Sequence, residues 1–69
     1  MAVGTIKKID PKGFGFINQQ NGQPDLFFHI TGMADRNEFE YLQTSDTVTF
    51  EIENGRDGRP RAASVRREQ

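Results

Sequence analysis

Lys12-Gly13-Phe14-Gly15-Phe16-Ile17 holds the side chains of this sequence best suited to chemistry. Alternation along an extended chain places Lys12, Phe14 and Phe16 on one face and Gly13, Gly15 and Ile17 on the other. Burying Phe14 and Phe16 would put Ile17 outside and leave two glycines on the surface of a strand. The opposite arrangement uses the glycines for tight curvature and turns two rings and a cation outward. Exposed phenylalanines at i and i+2 beside a lysine are a stacking surface for flat, charged partners, of which unpaired nucleobases are the natural class.

Leu26-Phe27-Phe28-His29-Ile30 repeats the pattern. Phe27 and His29 share one face, while Leu26, Phe28 and Ile30 form the apolar face expected to be core. If the two segments pair through a turn at Asn21-Gly22, Phe14, Phe16, Phe27 and His29 lie on one platform. His29 is able to stack, to donate a hydrogen bond, or both. Base stacking on such a platform is worth about 1–3 kcal/mol per base, and it selects single strands because duplex bases already stack on each other.

The elements that position these residues are short strands. The sequence predicts five: Val3 to Ile9, Gly13 to Asn18, Asp25 to Ile30, Thr47 to Glu53, and about Arg59 to Arg66. Asp10-Pro11 ends the first, because proline removes a ladder donor and restricts its predecessor. In the fourth, Val48, Phe50 and Ile52 share a face. In the fifth, Ala63 and Val65 are expected to face inward. Asn54-Gly55 and Asp57-Gly58 mark the turn between them. The segment Thr31 to Ser45 has no sustained helical period and room for one short helical turn capped by Asp35. Arg67 to Gln69 are expected to fray. Five short strands without a crossover helix predict a small, all-β, five-stranded antiparallel barrel in a single domain spanning 1–69.

Composition narrows the function. With 69 residues and no cysteine, the chain has neither disulfides nor a thiolate metal site, and one histidine does not build a zinc site. No cofactor is expected. No apolar run approaches a membrane span, and Met1 to Gly4 carry no charged segment followed by an apolar one, so a cytoplasmic protein without a leader or membrane partner is expected. The acids show no acid/base pair or nucleophile triad, so no catalysis and no small-molecule substrate is expected. The net charge of −1 is unevenly spread. Lys7, Lys8 and Lys12 stand against Asp10 near the start. Asp35, Glu38, Glu40 and Asp46 make the middle acidic, with only Arg36 opposing them. Arg56, Arg59, Arg61, Arg66 and Arg67 make the end basic against Asp57. A local basic face is thus compatible with a negative sum.

Lys12 to Phe16 also fits the start of the RNP1 pattern of RNA-recognition motifs, but that fold needs another strand order and two helices. The sequence instead resembles the bacterial cold-shock proteins, an OB-fold family, over almost its whole length. Gly4-Thr5-Ile6-Lys7 resembles the opening strand, Lys12 to Ile17 the first family motif, and Asp25-Leu26-Phe27-Phe28-His29 the second. Val48 to Ile52 and Pro60-Arg61-Ala62-Ala63-Ser64-Val65 resemble the last two strands. Phe39 falls where the family carries a loop aromatic; it either stacks a base or packs as a lid on the barrel end. The resemblance implies a monomeric OB-fold binder of single-stranded RNA and DNA, of low sequence specificity. It further implies an ATP-independent RNA chaperone with roles in cold adaptation or in transcription and translation control. Lys7, Lys8, Lys12, Phe14, Phe16, Phe27, His29, Phe39 and Arg61 are the expected contact residues.

The departures bear on affinity. Where the family usually reads Lys-Trp-Phe-Asn, this chain has Lys7-Lys8-Ile9-Asp10 and a connection one residue shorter. Lys8 for tryptophan removes a stacking position worth about 1–3 kcal/mol. A phosphate contact from Lys8 would return part of that and steepen the salt dependence. Ile30 stands where an aromatic often follows the histidine. Lys8, Ile30 and the acidic loop also motivate a rival reading, an OB-type module that has lost most nucleic-acid affinity and binds a protein instead.

Overall fold

The structure is a computed structural model and describes residues 2–20 and 22–68. Five strands, β1 (Ala2–Asp10), β2 (Phe14–Gln19), β3 (Leu26–His29), β4 (Thr47–Asn54) and β5 (Pro60–Arg67), close into an OB-fold barrel in the order β1-β2-β3-β5-β4. Four of the five junctions are antiparallel, and β3 pairs with β5 in parallel. A closed ring of five strands cannot alternate direction at every junction, so the expected antiparallel barrel must contain one such pair.

Alternation fills the barrel. Ile6, Ile17, Leu26, Phe28, Val48, Phe50, Ala62 and Val65 point inward and are buried. Met33, Phe39 and Leu42 join the same core from the connection between β3 and β4. That connection holds two short 3₁₀ turns, Ile30–Gly32 and Arg36–Tyr41. Asp35 caps the second turn as expected, its side chain accepting from the Asn37 amide at 3.0 Å.

Two bulges break the alternation. Between Ile6 and Lys8, β1 carries one residue more than its partner, so Lys7 is extra and Lys8 pairs with Phe16. Between Thr49 and Glu51 of β4 the extra residue lies on β5, where Ser64 has φ of 52°. This bulge corrects the inward pair expected for β5. Ala62 and Val65 are buried, while Ala63 pairs with Glu51 and is only half-buried. Ile52 pairs with buried Ala62 yet is 53% exposed, lining an open groove together with Pro24, Leu26 and Pro60.

The C-terminal strand is better anchored than its sequence suggests. Arg67 donates its amide to Glu38 and its guanidinium lies 3.5 Å from Asp46, and the Glu68 amide donates to the Thr47 carbonyl at 2.8 Å. At the β2–β3 turn, Gly22 has φ of 80°, while Asn21 lies outside the described residues, as does Gln69 at the end. No described helix is long and apolar enough to cross a membrane.

Candidate nucleic-acid interface

Pairing of β2 with β3 sets Phe16 against Phe27 and Phe14 against His29, while Gly15 faces Phe28 and Ile17 faces Leu26 on the core side. The outer three rings touch one another. Phe14 and Phe27 lie nearly parallel with centroids 6.0 Å apart, and Phe16 meets Phe27 edge-on at 5.9 Å and Phe14 at 6.3 Å. Phe27 is 37% exposed and Phe14 and Phe16 are half-buried, so each offers part of a ring face to solvent.

Gly15 makes this exposure feasible. A Cβ at that position would stand 2.6 Å from the Lys8 carbonyl oxygen and 2.8 Å from the Phe28 ring. Bare backbone there lets Phe28 fill the barrel directly beneath the platform. The turn before β2 is set by its own residues. The Gly13 amide donates to the Asp10 carbonyl at 3.0 Å, the Lys12 amide donates to the Asp10 carboxylate at 2.9 Å, and Gly13 has φ of 105°.

His29 is held by Thr31, whose backbone N–H donates to Nδ1 at 3.2 Å and whose Oγ1 lies 3.1 Å away. A nitrogen that accepts from an amide carries no proton, so in this arrangement Nε2 bears the hydrogen and is the ring's donor.

The platform is one row of cross-strand partners. Lys8 pairs with Phe16, Phe16 with Phe27, Phe27 with Arg61, and Arg61 with Glu53. A second row runs Asp10, Phe14, His29. The first row has a cation at each end of its ring pair. The bulge at Lys7 makes this so, since strict alternation from buried Ile6 would turn Lys8 inward.

A family model, the "cold-shock" DNA-binding domain, matches residues 2–68. The chain belongs to this cold-shock domain family. Its relatives agree. It is 41% identical over 66 residues to the cold shock protein ScoF of Streptomyces coelicolor, covering 94% of this chain and 96% of that one. It is also 41% identical over 66 residues to the major cold shock protein of Streptococcus pyogenes, covering 94% of each. It is 46% identical over 65 residues to glycine-rich protein 2 of Nicotiana sylvestris, covering 93% of this chain but only 30% of the plant protein. The cold-shock domain is a nucleic-acid-binding family.

Of the residues expected to contact nucleic acid in this cold-shock domain, Phe14, Phe16, Phe27, His29, Lys8 and Arg61 come together on the two rows. Lys12 is exposed in the turn that leads into Phe14. Lys7, the bulged residue, is turned to Asp25, with Nζ 2.7 Å from Oδ2. Phe39 is not on this face. It is 8% exposed and packs edge-on against the Phe28 ring at 6.2 Å, closing the barrel end as a lid. Ile30 packs against the core and donates its amide to the Gly13 carbonyl at 2.8 Å, so it is a structural residue. Glu53 and Asp25 were not among the expected site residues, although they pair with two that were, Arg61 and Lys7. The hairpin register implied by the Asn54-to-Pro60 turn places Glu53 opposite Arg61 and was the available signal. Among the described residues, no cluster of histidine and carboxylate side chains forms a metal site.

Proposed function

We propose that this cold-shock domain binds single-stranded RNA and DNA with low sequence specificity, as a monomer, and acts as an ATP-independent RNA chaperone. The observation that carries this reading is the continuous surface of Phe14, Phe16 and Phe27, flanked in register by Lys8 and Arg61. Any base has a flat face to lay on such rings, which supports binding without a strict sequence. Binding of the open strand withdraws it from the folding equilibrium of an RNA hairpin, so unfolding follows by mass action without nucleotide hydrolysis. The names of the relatives and the tendency of RNA structure to persist when cooled support a role in cold adaptation, and control of transcription and translation belongs to the same reading.

The test is an RNA hairpin labelled with a fluorophore and quencher at its ends. Added protein raises the fluorescence without ATP, and Phe16→Ala and Phe27→Ala abolish the rise at the same concentration. An intact hairpin at saturating protein would refute the chaperone reading while leaving single-strand binding to be judged separately.

A further inference from the structure

The cations on and around the aromatic face fall into two classes. Among the described residues, the side chains of Lys8 and Lys12 have no ion-pair partner. Lys7 and Arg61 each have one. Lys7 meets Asp25, and Arg61 Nε lies 3.2 Å from Glu53 Oε1. The second pair sits at a decisive place, because Arg61 is the cross-strand neighbour of Phe27 and Glu53 the next residue in the same row. A strand whose base rests on Phe27 brings its phosphate to a guanidinium whose Nε already faces the Glu53 carboxylate. Carboxylate and phosphate compete for the Nε donor, and the two anions repel each other across the guanidinium.

We infer that Glu53 sets the affinity of this face, its carboxylate acting as an internal competitor for the backbone phosphate at Arg61. The inference rests on the aromatic face being the single-strand site. Binding at Arg61 then exchanges one anion for another and gains little electrostatic free energy. The phosphates bound at full strength are those reached by Lys8 and Lys12. The domain therefore holds its strand chiefly by stacking and releases it readily, as a chaperone that must let RNA refold requires.

The measurement is the dependence of affinity on salt, using a fluorescently labelled pyrimidine-rich single strand. Each neutralised phosphate of a single strand contributes about 0.7 to the slope of log K against log salt. Lys8 and Lys12 alone give a wild-type slope of about −1.4, and Glu53→Gln, which frees Arg61, steepens it to about −2.1. The same change tightens binding at low salt, and the gain shrinks about fivefold for a tenfold rise in salt. The double variant Glu53→Gln/Arg61→Gln returns the slope to that of the wild type. Glu53 is exposed and Gln is nearly isosteric, so the fold is kept, and thermal melts of each variant confirm it. A Glu53→Gln protein with unchanged slope and affinity, or with weaker binding, overturns the inference, since Glu53 would then be a bystander or a support for Arg61. If the wild type itself binds no strand at low salt, the aromatic-face reading falls and takes this inference with it.

Discussion

Phe16 and Phe27 face each other across β2 and β3, and their edge contact means that neither ring acts alone. Phe16→Ala and Phe27→Ala are each expected to weaken single-strand binding by about 1–3 kcal/mol. Together they are expected to cost less than the sum, because loss of one ring also removes support from the other. Titrations of the two single variants and the double variant check this. Lys8 stands beside Phe16 where the family usually carries a tryptophan, so Lys8→Trp is expected to strengthen binding by a similar amount while reducing the salt slope by about 0.7. The faces of Phe14, Phe16, Phe27 and Phe28 were all legible in the sequence, because two glycines in register with Ile17 leave only one economical way to fill the barrel. Phe39 was not decidable, since its position depends on where a 15-residue connection without periodic pattern folds back.

At the scale of elements, alternation recovered the strands but not their interruptions. A bulge is one extra residue with no required residue type, and the two here displaced Lys7 and Ser64 from any pattern in the sequence. The first brought Lys8 to the platform. The second moved the inward position of β5 from Ala63 to Ala62. The parallel junction of β3 with β5 was equally hidden, because pairing between distant strands follows from closure of the ring and not from local residue type. The bulges carry separate consequences for stability. Ser64 holds a left-handed conformation that costs a non-glycine residue roughly 1–2 kcal/mol, partly offset by the greater chain entropy that glycine loses on folding. Ser64→Gly is therefore expected to raise stability slightly, by up to about 1 kcal/mol, in a urea titration. Gly15→Ala does the opposite. Its Cβ would strike the Lys8 carbonyl and the Phe28 ring, and a loss of about 1–3 kcal/mol is expected from overpacking alone.

The whole molecule is small enough for these sums to matter. At roughly 0.05–0.15 kcal/mol per residue, a chain of 69 residues has only about 3–10 kcal/mol to lose. Phe28 is fully buried under the platform, so Phe28→Ala is expected to cost about 3–5 kcal/mol, roughly a third or more of that reserve, and to lower the urea midpoint followed by circular dichroism accordingly. Ligand acts in the other direction. A single strand at about 100 times its Kd adds about 2.7 kcal/mol to the folded state, which raises the melting temperature of so small a domain by roughly 10–20 °C. The net charge of −1 fits the proposed function, since a face of rings and local cations needs no basic surface overall. The central claim is that unpaired bases stack on the Phe14, Phe16 and Phe27 surface. Its most direct test is fluorescence anisotropy of a labelled single strand and its matched duplex, titrated with the wild type and with Phe16→Ala and Phe27→Ala. Binding of the single strand only, weakened at least fivefold by each substitution, is the predicted result. Equal affinity for single strand and duplex, or wild-type affinity in both ring variants, would contradict it.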